Sequence, residues 1–329
     1  MDISRGTALL SLLSHSVGEW LAGETACKRL GVAHTELKSL VSELRAEGYH
    51  IEFDNRRGCR YTGREDRIIP REVQRECSDI QMGRHLVVCD VVDSTNDLAW
   101  EQALHGAPEG TIVVADEQRL GRGRMGRKWL APPGSGLLLS LVLRPPFTSA
   151  RGHALTAMAS VAVADTIRDH LAVPARIRWP NDIYVGNRKL AGILVEGRTL
   201  ATGATFVVGI GINVNLAPEE MPPEVQQTAV SLSVACGKRL DRVELLCWLM
   251  HALERWYRDL KSNDTGRIAN HWRQLSSTLG HRVALVEDGR EVRGTVLDLS
   301  MDEGLIVRLD EGLTKIFRPS TVTVRHLCD

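Results

Sequence analysis

The sequence has 329 residues, 43% of them apolar, and its 41 Lys and Arg balance 41 Asp and Glu. This length predicts two or three domains of ordinary globular composition, and zero net charge leaves phosphate or nucleic-acid binding to local patches. Seven cysteines without a C-x-x-C pair argue against a disulfide framework or a zinc site. No basic leader with an apolar core and no apolar run of spanning length is evident, which points to a cytoplasmic protein with no membrane partner.

Residues 1–64 read as a small helical unit closed by a hairpin. Leu9, Leu10, Leu12 and Leu13 lie close to one helical face, and a short helix over Gly23–Leu30 is stopped by Gly31. From Thr35 to Ala46, Leu37, Leu40, Val41 and Leu44 follow the i, i+3, i+4, i+7 pattern of an amphipathic helix. Two helices around a short Gly-containing turn match a helix-turn-helix, and Tyr49–Tyr61 alternates as a wing hairpin around Asn55–Gly58. The unit nets only +1, and Glu36 and Glu43 sit on the second helix, so a protein–protein module is the competing reading. Thr35, Lys38 and Ser39 on that helix, with Arg56, Arg57 and Arg60 on the wing, favour DNA binding. Residues 65–80 are polar, contain Pro70, and read as a linker or short connecting helix.

The region 81–275 mixes strands and helices. Leu86–Val92 is β-rich and runs into Asp93-Ser-Thr-Asn96, where Ser94 or Thr95 can cap the helix that follows. Thr111–Ala115 is a second strand leading to Gln118. Gly136–Leu143 reads as a buried strand, and Ala154–Leu171 as a long alanine-rich helix. Strands at Ala175–Trp179 and Leu190–Glu196 are joined through Trp179-Pro-Asn-Asp182, and Lys189 either snorkels outward or meets an anion. In Thr205–Asn213, Gly209 and Gly211 leave one strand face bare, a sign of a bulge or of close approach by a ligand. Helices over Asp241–Leu260 and His271–Leu279 follow. From Gly280 onward, four or five short strands separated by Asp288-Gly289, Asp302–Gly304 and Glu311-Gly312 suggest a small β-barrel without a catalytic constellation.

Between the second and third strands of this region lies Gly121-Arg-Gly-Arg-Met-Gly-Arg-Lys-Trp129, four cations interleaved with three glycines. Gln118–Ala164 holds seven Lys or Arg and no Asp or Glu. Glycines permit close backbone approach to an anion, and arginine forks match phosphate or carboxylate oxygens. The G-x-G-x-x-G spelling is not a dinucleotide fingerprint, because Pro132-Pro133 follows where a helix is required. A solvated basic loop is the alternative.

Six motifs in order resemble those of bacterial biotin–protein ligases: Asp93–Asn96, Gln118, Gly121–Trp129, Trp179–Asp182, Arg188–Leu194 and Gly209–Asn213. The flanking regions extend the likeness to the bifunctional type that also represses the biotin operon. The resemblance implies an α+β chain with three domains: a winged helix-turn-helix (1–64), a mixed α/β ligase domain similar to class II tRNA synthetases (81–275) and an SH3-like barrel (276–329). It implies that Ser94, Thr95, Asn96 and Gln118 line a biotin pocket, with Gly192, Gly209 and Gly211 keeping its floor open. Arg122, Gly123 and Arg124 would belong to a loop that orders over the carboxylate–phosphate junction. Lys189 would sit at that junction, making Arg124 and Lys189 the catalytic pair, and Asn181, Asp182 and Asn213 would serve the nucleotide or its metal. The implied chemistry uses ATP and Mg²⁺ to form biotinoyl-5′-AMP, then transfers biotin to a lysine of the biotin carboxyl carrier of acetyl-CoA carboxylase. Operator DNA and a second copy of the chain, bound as the adenylate-loaded homodimer, complete the implied partners. Two alternatives are a ligand-sensing repressor without ligase activity and a lipoate–protein ligase. Departures are the acidic second helix, His34–Ser39, and the lack of an adenine-stacking aromatic in Gln226–Gly237.

Overall fold

The computed structural model describes residues 3–148, 152–200, 203–262, 264–287, 289–319 and 322–326; Asp288 and Cys328 lie outside them. In the N-terminal part, the expected helical period is met by burial. Helix α1 (Ile3–Ser14) supplies Leu9, Leu10 and Leu13, and α3 (His34–Ala46) supplies Leu37, Leu40, Val41 and Leu44 to one core. Between them lie the short strand β1 (Trp20–Leu21) and α2 (Gly23–Leu30), which Gly31 ends in the left-handed conformation at φ 65°. Strands β2 (Tyr49–Asp54) and β3 (Gly58–Arg64) form an antiparallel hairpin, and the three strands are ordered β1-β3-β2.

The chain divides into units after Glu72, not after residue 64. Residues 65–72 are not a free linker. Ile69 is buried in the first core, Tyr49 Oη donates to Glu72 at 2.8 Å, and Arg71 Nε donates to Glu47 at 2.7 Å. Helix α4 (Pro70–Glu76) carries the chain onward, and Cys77, Ile80 and Met82 are buried in the second unit.

The second unit, Val73–Asp329, is built on a mixed seven-stranded sheet of order β4-β5-β6-β10-β9-β8-β7. Its strands are β4 (Leu86–Val92), β5 (Ile112–Gln118), β6 (Gly136–Leu143), β7 (Ala175–Arg178), β8 (Asp182–Val185), β9 (Arg188–Leu200) and β10 (Gly203–Asn213). Only β4 and β5 run parallel within it; the other neighbours are antiparallel. Helix α5 (Thr95–Leu104) packs Ala99, Trp100 and Ala103 on Val113, Val142 and Val207. The alternation of strand side chains puts Phe206 on the opposite face, beside Gly152 at the start of α6 (Gly152–Leu171). After β10 come the short helices α7 (Pro223–Gln226) and α8 (Leu232–Cys236), then α9 (Arg242–Lys261) and α10 (Thr265–Leu275). Residues expected as a separate C-terminal domain belong to this same unit. They form β11 (Arg282–Glu287), β12 (Arg290–Ser300), β13 (Gly304–Leu309), β14 (Thr314–Phe317) and β15 (Val322–His326), an antiparallel sheet ordered β14-β13-β12-β11-β15.

Candidate active site

The site grows from two cross-strand rows on the sheet face that carries α5. One row is Ser140, Gly209 and Leu194; the next is Leu138, Gly211, Gly192, Asp182 and Arg178. Residues two apart on a strand share a face, so both rows open on the same side. A cavity of about 380 Å³ lies over them. The glycines are there for room. A Cβ on Gly209 would stand 3.0 Å from Asn96 Cγ and closer still to Oδ1, and one on Gly211 would stand 2.6 Å from the Trp129 indole.

A buried polar network forms the wall at the α5 end. Ser94, Thr95 and Asn96 are each 3 to 4% exposed. Neither Ser94 nor Thr95 is there merely to cap a helix. Ser94 makes no side-chain cap bond to α5, and the Thr95 hydroxyl donates to Gln118 Oε1 at 3.0 Å, which also accepts Thr95 N–H at 2.8 Å. Ser140 Oγ lies 2.8 Å from Thr95 Oγ1 and 2.6 Å from Asn96 Oδ1, and Asn96 Nδ2 donates to Glu196 at 2.8 Å. This wall offers hydroxyls and amides to a neutral, hydrogen-bonding group.

The glycine-arginine loop closes back on itself: Gly123 N–H donates to Arg127 O at 2.7 Å and Trp129 N–H to Gly121 O at 2.9 Å. Met125, at φ 56°, occupies the left-handed region, which is strained for a residue with a side chain. Trp129 lays its indole on the Gly192–Gly211 pair, with Lys189 Nζ 5.6 Å from the ring. The loop's cations then diverge. Arg122 is held by both oxygens of Asp97 at 2.6 Å, with Glu196 3.8 Å away. That pairing holds the Asp97 carboxyl below the usual carboxylate range. Arg124 turns inward to Asn181 Oδ1 at 3.2 Å and to the carbonyl of Pro319. Burial pushes its guanidinium down, Asp182 opposes this and Arg127 adds to it; arginine remains charged regardless. Lys189 Nζ sits 2.7 Å from Asp182.

Ser94, Thr95, Asn96, Gln118, Arg122, Gly123, Arg124, Asn181, Asp182, Lys189, Gly192 and Gly209 all line this one cavity. Asn213 does not; its amide donates to Val230 O at 3.1 Å and holds the segment after β10. Sequence reasoning passed over Ser140, a polar residue inside an apolar run, and Glu196, Asp97, Arg178 and Tyr184. It also passed over β15, whose residues 322–325 form a wall of the cavity, with Thr323 Oγ1 3.3 Å from Met125 Sδ. Among the described residues no three His, Cys, Asp or Glu could together hold a metal, and Asp182 is the sole carboxylate in the lining. Such a site suits a cation that arrives on substrate phosphates and keeps its waters.

Residues 88–215 match the biotin/lipoate A/B protein ligase family. The bifunctional ligase/repressor BirA of Bacillus subtilis is 34% identical over 94% of this chain and 95% of its own. The biotin–[acetyl-CoA-carboxylase] ligase of Mycobacterium tuberculosis is 33% identical over 75% of this chain and 93% of its own. The solved biotin protein ligase of Aquifex aeolicus, in complex with biotin and ATP, superposes with a TM-score of 0.64 at 29% identity, covering 74% of this chain and all of that one. With a relative of this identity matched along nearly its whole length, the chain belongs to the biotin–protein ligases, among the bifunctional ligase/repressors.

Proposed function

We propose that this chain uses ATP to convert biotin to biotinoyl-5′-AMP and transfers the biotinoyl group to a lysine of the biotin carboxyl carrier of acetyl-CoA carboxylase. The observation that carries the reading is the meeting, in one cavity, of a buried amide–hydroxyl wall, a glycine floor and the cations Arg122, Arg124 and Lys189. Ser94, Thr95, Asn96 and Gln118 hold the polar ring of biotin. Its carboxylate reaches Lys189, where Arg124 also faces the junction. There a carboxylate oxygen attacks the α-phosphorus, a new O–P bond forms, and pyrophosphate leaves with the electron pair of the broken bond. Both reactants are anions, so positive groups fixed in place offset their repulsion and the charge of the transition state. In the second step the lysine amine attacks the acyl carbon, AMP departs and the amine loses a proton. The glycine-rich loop shields the mixed anhydride from water in between. Mg²⁺ entering with the nucleotide would take Asp182, assisted by Asn181, and supply charge neutralisation to the triphosphate.

The first unit is a winged helix-turn-helix that binds operator DNA when two adenylate-loaded copies pair, in the cytoplasm. The acidity of α3 is a smaller obstacle than its composition suggests, because Glu36 is paired with Arg5 within the unit. The wing tip is pre-set: Asp54 Oδ1 accepts Arg56 and Arg57 N–H at 2.8 Å. Biotin-dependent ATP–pyrophosphate exchange tests the enzyme, with lipoate as the competing substrate; exchange with lipoate alone, or with neither, overturns the reading. A mobility shift with operator DNA, biotin and ATP tests the repressor, and no complex removes that role.

A further inference from the structure

We propose that Arg178 and Tyr184 form a subsite for the nucleotide's phosphoryl groups beyond the α-phosphate, the part that leaves as pyrophosphate; this rests on the ligase reading above. Arg178 ends the second cross-strand row, next to Asp182 and beyond Gly192. Its guanidinium carbon stands 3.7 Å from the centroid of the Tyr184 ring, and both side chains line the cavity. Arg122 and Lys189 each hold a carboxylate at 2.6 to 2.7 Å. Arg178 lies instead on an aromatic face, and its Nε is buried without a hydrogen-bond partner. Stacking fixes the plane of a guanidinium while leaving its in-plane forked donors for an oxyanion.

The placement also fits the length of the ligand. The amide–hydroxyl wall stands at the β5–β6 side, Lys189 on β9 marks the junction, and Arg178 on β7 lies further along in the same direction. Lys189 Nζ meets Asp182 on β8, and one strand spacing, about 5 Å, separates that strand from Arg178 on β7. That is the reach of the phosphoryl groups next beyond the junction. Arg178 is thereby aimed at the leaving group, where negative charge accumulates as the bond to the α-phosphorus breaks.

The test is titration calorimetry of inorganic pyrophosphate and, separately, of biotin into the full chain, for wild type, Arg178→Gln and Arg178→Lys. Thermal melts and pyrophosphate-exchange kinetics accompany it. Loss of one charge-assisted fork should weaken pyrophosphate, and raise its KM in exchange, about tenfold in Arg178→Gln. Arg178→Lys, which keeps charge but loses the fork and the stack, should fall between, with the biotin affinity and melting temperature of both variants near wild type. Unchanged pyrophosphate affinity overturns the proposal, as would a parallel fall in biotin and pyrophosphate affinity, which marks a structural role. Wild type that binds pyrophosphate but gives no biotin-dependent exchange would sink the ligase reading instead, and the calorimetric comparison would still decide on Arg178.

Discussion

Gly209→Ala is the most direct probe of the pocket floor. A methyl on this strand faces the whole Asn96 amide, 3.0 Å from Cγ and 3.2 Å from Nδ2, with Oδ1 nearer still. β10 is paired on both sides and cannot retreat, so the amide must give way by about 1 Å. That displacement breaks or weakens two bonds, Asn96 Nδ2 to Glu196 at 2.8 Å and Ser140 Oγ to Asn96 Oδ1 at 2.6 Å. A neutral bond contributes about 1 kcal/mol and one to a carboxylate about 1.5–3, so partial relaxation leaves a cost of about 2 kcal/mol. Expressed in biotin binding this is roughly thirtyfold in Kd, read by titration calorimetry. Asn96→Ala should weaken biotin by a similar factor, and the double variant should be no weaker than Asn96→Ala alone, because the clash has lost its partner. Wild-type affinity in Gly209→Ala, or full additivity in the double variant, would refute the reasoning.

Arg242 is 1% exposed and donates to Asp116 at 2.6 Å and to the Gly136 carbonyl at 3.2 Å, so Arg242→Ala should cost about 3 kcal/mol in denaturant unfolding. A change below about 1 kcal/mol would mean that the pair is not structural. His251 lies 3.1 Å from Asp79; burial opposes its charge, but the Cys247 carbonyl and Asp79 outweigh this and raise it, while His251 lowers Asp79. The raised His251 contributes stability in full below its ordinary value near 6.5 and loses it as pH rises through the folded value; the Asp79 share is lost as pH falls through its own lowered value. His251→Ala should flatten the Tm profile from about pH 6 to 8, and an unaltered slope contradicts the assignment. On the wing, Arg57 is stacked 4.3 Å from the Trp20 ring and Arg60 is paired with Glu52 at 2.6 Å. Arg56→Ala should therefore lower the salt slope of operator binding by about 0.9, and Arg60→Ala by less; equal slopes would remove Arg56 from the phosphate contacts.

Local patterns were readable from the chain alone where the cause is local. The spacing of Leu37, Leu40, Val41 and Leu44 follows from helix geometry, and all four are buried. Gly209 and Gly211 announced a bare strand face because glycine mid-strand marks a bulge or a close approach, and here the Asn96 amide and the Trp129 indole make that approach. Register was out of reach. Arg178 and Gly192 share a row only because β8 lies between their strands, and no run of residues records that pairing. The loop alone does not record that Arg122, 25 residues further along the chain, gives two of its N–H donors to Asp97 on α5. The resemblance gives Asn213 to the nucleotide or its metal; its amide donates to the Val230 carbonyl, a contact set by the path of the loop after β10 that the motif does not record.

The cavity draws its walls from residues as distant along the chain as Ser94 and Arg325. On the ribosome, where domains fold as units and the N-terminal one first, the core around Leu9, Leu37 and Ile69 can close while the cavity still lacks its last wall. A growing chain would thus have a folded head long before it could shelter a reactive anhydride.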